Sequence, residues 1–221
     1  MTFYDRLLAE TKIDRERFLA LPLIQRVLTL GASRALYVAF LTQAYHHVKH
    51  TFPLLALAAS RTTDEAYQDA LVEYMAEERG HEKWILDDIA AMGGDREAVR
   101  IGSPGVACQA MVGYAYYAIE RISPFAMLGS VHVLEGLSVL LADHVADSVT
   151  KSLDIKSSGL SYLRTHGSLD TAHVAFFRDT INHITDRAIQ TLIIEQSKIF
   201  YRLYGAIMEE LDSGHELRNA A

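Results

Sequence analysis

The sequence has little cysteine, little proline and no basic run: its 221 residues include one Cys and four Pro, with a net charge of −7. A single cysteine, Cys108, excludes an internal disulfide framework and a cysteine-based zinc site. Without clustered Lys and Arg the chain is not expected to bind nucleic acid. The N-terminus has no apolar signal core, and the run 52–59 is too short to span a bilayer. We therefore expect a cytoplasmic protein without a membrane span.

Helical patterns dominate the remainder of the chain, because few prolines interrupt it and no alternating segment bounded by turn residues is present. Half of the residues are hydrophobic (50%), enough for one sizeable core. We predict an all-α protein with a single domain over residues 1–221. The expected helices cover residues 3–20, 22–30, a segment capped by Ser33, 63–92, 106–152 with a kink at Pro124, a helix around 160–175, and 179–211.

Two histidines and an aspartate form the densest group of metal-ligand residues. At about 100° per residue, His166, Asp170 and His173 fall within roughly 60° of one another on a helical wheel. All three are good ligands for a first-row transition metal. A solvated helix face is the alternative explanation. The Gly167-Ser168 pair also leaves open a helix that begins at Ser168, with His166 in the preceding turn.

Two further segments supply carboxylates. Glu78 and His81 are one helical turn apart, an arrangement found in di-iron proteins of the helical-bundle type. Glu77 competes with Glu78 for this role, and either can simply face solvent. Glu135 is the isolated carboxylate of an almost uncharged helix, where it costs several kcal/mol unless it is paired or bound to a metal. The alternative is a structural pair of Glu135 with a buried Arg or His, such as His132 one turn before it.

Together these residues predict a site for two iron ions that leaves positions open for dioxygen. Mixed imidazole and carboxylate ligands suit Fe and Mn better than Zn or Ca. The predicted metal ligands are Glu78, His81, Glu135, His166, Asp170 and His173.

In this order and spacing, the ligand motifs resemble those of the haem-oxygenase-like di-iron oxidases and oxygenases. The segments Leu21-Pro22-Leu23-Ile24-Gln25 and Gln43-Ala44-Tyr45 are also similar to the start of that superfamily, which includes thiaminase II (TenA) and pyrroloquinoline-quinone synthase. The resemblance implies a haem-oxygenase-like (TenA-like) multihelical bundle, a homodimer and the six ligands above. It also implies an enzyme that uses O2 to oxidise a small amine, an amino acid or a fatty-acid-like molecule.

Three other interpretations compete with this one. A TenA-like hydrolase would need an Asp where the sequence has Ala44, and Cys108 fits a small core residue better than a nucleophile. A haem oxygenase would carry a proximal histidine in its first helix, and the first thirty residues contain none. A cofactorless oxidase or a non-catalytic helical binding protein is the third possibility. The roles of His46, His47 and His50 stay open; the first and last could form a metal pair.

Overall fold

The computed structural model describes the backbone of residues 1–155 and 159–219, and the side chains of residues 1–155, 159–165 and 173–214. These described residues contain helices and no strand, which confirms the predicted all-α class. The helices are α1 Phe3–Glu10, α2 Lys12–Leu19, α3 Pro22–Leu30, α4 Arg34–Val48, α5 Thr51–Arg61, α6 Glu65–Glu78, α7 His81–Ala91, α8 Arg96–Ile101, α9 Val106–Tyr117, a π-helical turn Ala118–Ile122, α10 Ala126–Leu153, α11 Ser161–Asn182 and α12 Arg187–Asn219.

Several predicted helices are divided in the structure. The expected helix 3–20 breaks at Thr11, whose hydroxyl donates to the Leu7 carbonyl at 2.7 Å. The Thr11 amide bonds to the same carbonyl at 3.0 Å, and the helix ends because the backbone angles of Thr11 change to a φ of −102° and a ψ of 1°. The expected helix 106–152 does not merely kink at Pro124: it ends in the π-helical turn, and α10 starts again at Ala126. Proline cannot donate a helical hydrogen bond and clashes with the preceding turn, which accounts for the break.

The predicted helix 63–92 is interrupted at Gly80, which has a φ of 96° and a ψ of 2°. Glycine adopts this left-handed conformation at little cost, whereas other residues are strained there. As a result Glu78 is the last residue of α6 and His81 is the first residue of α7. The prediction that both lie on one continuous helix is wrong.

Helix α10 lies at the centre of the molecule and packs most extensively against α11 and α12. Gly129 brings α10 and α12 close together: a Cβ there would stand 2.6 Å from the Cβ of Gln196. By length and composition α10 is the one described helix that could cross a membrane, with a mean hydropathy of 1.4. In the fold, however, 56% of its most apolar window is buried against other helices, as expected for a core helix.

The start of α11 is fixed by a buried carboxylate on α7. Asp88, which is 2% exposed, accepts from the Ser161 amide at 3.0 Å, the Ser161 hydroxyl at 2.6 Å and the Tyr162 amide at 2.8 Å. An acidic group that accepts the free amides of a first turn stabilises a helix. Helix α11 therefore begins at Ser161, and the alternative start at Ser168 is wrong.

Candidate metal centre

Three of the six predicted ligands meet in the interior, each from a different helix. Glu78 ends α6, Glu135 lies in the first half of α10, and His173 lies on α11. One ligand atom from each of the three residues lies within 4.8 Å of those from the others. Glu78 and His173 are almost fully buried, at 9% and 4% exposure. Two carboxylates and an imidazole gathered away from solvent form a donor set that attracts a divalent transition metal.

His81 lies directly beside this group. Its Nδ1 atom is 3.4 Å from Oε2 of Glu78, and its ring stacks on Trp84 with the centroids 4.2 Å apart. The turn at Gly80 points both side chains to the same place although they belong to different helices. The helix assignment was wrong, but the two residues are adjacent in space, as the sequence spacing suggested.

Glu77 occupies the outer side of His173. Its Oε2 atom is 3.0 Å from Nε2 of His173, whereas Nδ1 of the same ring lies 3.8 Å from Oε1 of Glu78. Glu77 is 44% exposed and Glu78 is buried. Metal-bound histidines commonly donate their second ring N–H to a carboxylate, which fixes the tautomer. This geometry favours Glu78 as the metal-facing carboxylate and Glu77 as the residue that orients His173.

The remaining two predicted ligands, His166 and Asp170, have side chains that lie outside the described residues. Their backbone belongs to α11, the helix that carries His173. Their part in the ligand set stays a prediction.

Tyr74 is a residue that the sequence analysis missed. It lies one turn before Glu78 on α6, and its buried hydroxyl has no hydrogen-bond partner among the described residues. Its ring meets that of His173 edge-on, with the centroids 6.4 Å apart. Burial, followed by the charges of Glu135, Glu77 and Glu78, raises the pKa of Tyr74 far above its usual range. The spacing of four residues to Glu78 was the available signal.

His46, His47 and His50, at the end of α4 and just after it, have different surroundings. Nδ1 of His46 is 3.1 Å from Nζ of Lys49, and burial beside that cation lowers the pKa of His46 to about 4. Nδ1 of His50 is 3.0 Å from the Tyr116 hydroxyl. His47 lines the main cavity described below. Since His46 and His50 direct these nitrogens to different partners, the structure gives no support to a metal pair formed by them.

His132 is engaged away from Glu135. Its Nε2 atom is 3.2 Å from Oγ1 of Thr11, and that hydroxyl already donates its hydrogen to the Leu7 carbonyl. His132 therefore donates from Nε2 to Thr11. Its Nε2 proton is not available to Glu135, which weakens the alternative that this histidine is the structural partner of the carboxylate.

A long apolar cavity of about 190 Å³ reaches the cluster, and both Glu78 and Glu135 line it. Its lining includes α10 residues from Met127 to Val149, a distance of about 33 Å at the helical rise. Among the described residues, no Lys or Arg lines this cavity. The two carboxylates thus lie in the wall of a largely apolar channel.

The comparisons with known proteins agree with this architecture. Residues 38–205 match the family model described as iron-containing redox enzyme. The chain belongs to this family. No curated protein matches the sequence. The match covers every predicted metal ligand, from Glu78 to His173.

Solved structures confirm the haem-oxygenase-like fold. A domain of unknown function from Shewanella denitrificans has a TM-score of 0.89 at 22% identity, over 99% of this chain and 95% of that one. A TenA homologue from Pseudomonas syringae has a TM-score of 0.80 at 13% identity, over 96% and 93%. The haem oxygenase-1 of Synechocystis, solved in complex with haem, has a TM-score of 0.77 at 12% identity, over 100% and 99%. At these identities the similarity concerns the fold alone.

Proposed function

We propose that this member of the iron-containing redox enzymes is a non-haem di-iron oxidase or oxygenase that uses O2. The observation that carries the proposal is the convergence of Glu78, Glu135 and His173 from three helices, with His81 beside them. The donors fit iron, since imidazole and carboxylate together suit a first-row metal with open positions. The buried hydroxyl of Tyr74 adds a polar group that is available to whatever occupies the centre.

The proposed ligands are the six predicted from the sequence. An iron pair held by them would supply the electrons that activate O2. Glu77 keeps the proton of His173 on Nε2, so that Nδ1 offers its lone pair to the interior. Tyr74, whose pKa is strongly raised, keeps its proton and can donate a hydrogen bond at the centre throughout the physiological pH range.

The cavity bears on the substrate. Apolar side chains form most of its wall, and no cationic side chain in the described part of the chain lines it. A substrate with an apolar chain would bury that chain along α10 and present its polar end to Glu78 and Glu135. Of the three classes implied by the sequence, the fatty-acid-like substrate fits best, because the wall along α10 is mostly apolar and offers few partners to a small polar amine or amino acid. The filled channel would also exclude water from the centre.

The surroundings of the only cysteine, Cys108, argue against a TenA-like hydrolase that uses a thiol nucleophile. Cys108 is buried in the core, its Sγ lies 3.7 Å from the Gln43 carbonyl, and burial raises its pKa to about 11. The thiolate is the nucleophile in cysteine chemistry, and this thiol would hold its proton at neutral pH.

The first experiment is an iron titration. The protein is loaded anaerobically with Fe(II), desalted, analysed for iron and exposed to O2 while the visible absorbance is followed. About two irons per chain and a transient band are expected. Glu78→Gln and Glu135→Gln should each lose iron, whereas Glu73→Gln, an exposed carboxylate on the same helix as Glu78, should not. Full iron loading of both buried-site variants would refute the proposed ligands.

The substrate class has its own test. We expect long-chain fatty acids to bind and to accelerate the decay of the visible band, and small hydrophilic amines to do neither. Leu141→Trp should block the cavity, which Leu141 lines, while His144→Trp, at an exposed position of the same helix outside it, should not. Equal responses to both classes, or identical behaviour of the two tryptophan variants, would argue against an apolar-chain substrate.

A further inference from the structure

A second cavity, of about 260 Å³, lies on the other side of α10. It is lined by α1, α2, α10, α11 and α12. Val131 and Glu135, one helical turn apart, line both this cavity and the apolar one, so they form the partition between them. Gly136 faces open space, because a Cβ placed there would meet no atom within 4 Å outside its own helix backbone. The metal cluster is therefore approached from two sides.

Among the described residues, the second cavity differs from the first because a cationic side chain forms part of its wall. Arg15 lines it together with the buried Tyr201. The neighbouring acid, Asp14, is instead shared by Arg17 at 4.0 Å and Arg202 at 3.9 Å. Among the described side chains, no carboxylate lies within the 4.0 Å ion-pair distance of Arg15.

A guanidinium group has five N–H donors in a planar fork that matches a carboxylate. The hydroxyl of Tyr201, which lines the same cavity, adds an O–H donor for the same anion. The two groups together provide donors of the kind that bind a carboxylate in two-point fashion. The Tyr4 ring lies on the same wall.

The size and the remaining lining limit the occupant. Leu8, Val139, Leu140, Val174 and Phe177 supply apolar surface, and Val139 and Leu140 are exposed at its edge. The volume lies just below the roughly 300 Å³ at which pockets for drug-sized ligands begin. A short organic acid fits this combination: a carboxylate for Arg15 and a few carbons for the rim.

We propose that this second cavity is a binding site for the carboxylate of a short organic acid, held by Arg15 and Tyr201 beside the metal cluster. Glu135 is the opposing charge in the same cavity. Its repulsion falls when a divalent metal binds to the cluster, so the acid and the metal should strengthen each other's binding, and this coupling is reciprocal. The site itself does not depend on the proposed O2 chemistry, and it can be tested without iron.

The test uses hexanoate as the probe and hexanamide, its neutral analogue, as the control ligand. Calorimetry on the metal-free full chain, with and without Mn(II), is expected to show 1:1 hexanoate binding that Mn(II) tightens, and no binding of hexanamide. Arg15→Gln and Tyr201→Phe should each weaken binding, the former at least about tenfold, since a charge-assisted pair is lost. Arg17→Gln makes the same charge change on the same helix, at an exposed position, and should bind as the parent does.

A filling variant separates the two cavities. Gly136→Leu places a side chain into the open space of the second cavity and should abolish hexanoate binding. Three outcomes would overturn the proposal: absence of hexanoate binding to the parent protein, equal binding by Arg15→Gln and Arg17→Gln, or equal affinity for hexanamide. Loss of iron binding with intact hexanoate binding would instead count only against the proposed di-iron function.

Discussion

Glutamine at position 135 is expected to make the metal-free protein more stable and to remove its response to metal. The ligand oxygens of Glu78 and Glu135 lie within 4.8 Å of each other. At that separation two unit charges repel by about 3.5 kcal/mol at an effective dielectric constant of about 20, and by about 0.9 kcal/mol in water. Glutamine keeps the shape and removes the charge. After subtraction of some lost hydrogen bonding, we expect a gain of about 1–3 kcal/mol in the free energy of unfolding.

Thermal and chemical denaturation in the presence of a chelator measures this gain, which corresponds to an increase of about 2–12 °C in Tm for a chain of this size. Addition of Mn(II) or anaerobic Fe(II) should then raise the Tm of the parent protein and leave that of Glu135→Gln unchanged. Glu73→Gln, an exposed carboxylate change, should stay within about 0.5 kcal/mol of the parent. A Glu135→Gln variant that is less stable than the parent and is still stabilised by metal would refute the reasoning, because Glu135 would then be a structural partner rather than a ligand.

Three further predictions test other groups. Burial lowers the pKa of His132 to about 3. Below about pH 6.5 the unfolded chain therefore binds a proton that the native state does not bind, and the free energy of unfolding decreases as the pH falls toward 3. Urea denaturation should show that His132→Gln removes about 2–3 kcal/mol of the decrease between pH 6.5 and 4.5. Glu77→Gln should weaken metal binding about tenfold or more in competition with a chelator, whereas Glu73→Gln should not; equal affinities would exclude an orienting role. Asp88→Ala should cost about 2–3 kcal/mol and accelerate amide exchange in the first turn of α11, with the exposed Asp87→Ala as a control; an unchanged exchange rate would show that the cap does not hold this helix.

The fold class could be read from the sequence because it depends on a pattern repeated along the whole chain: long apolar periodicities and few prolines. The helix ends that were mispredicted depend on single residues in tertiary context. The first helix is interrupted where Thr11 leaves helical backbone angles, and the helix 63–92 where Gly80 adopts a left-handed conformation that a glycine within a helical pattern need not adopt.

The group formed by Glu78, Glu135 and His173 was partly predictable for a similar reason. Glu135 stood out because an isolated carboxylate in an apolar helix has few explanations, and its structural neighbours are indeed predicted ligands. The sequence could not distinguish Glu77 from Glu78. They are adjacent residues of the same type, and which side chain points into the interior depends on where and how α6 ends. Tyr74 was missed because a buried tyrosine is ordinarily part of a core. Arg15 carries no local signal at all, as its cavity is assembled from five helices.

The break at Gly80 makes the distance between the side chains of Glu78 and His81 adjustable. In one continuous helix the offset between Glu78 and His81 would be fixed at about 4.5 Å along the axis. Here two helices meet, and the offset follows from the backbone angles of Arg79 and Gly80. The distance between donors, and with it the preferred ionic radius, can therefore be retuned by changing this two-residue connection while every ligand stays in place. We therefore expect the metal selectivity of the proposed centre to depend in part on this backbone geometry.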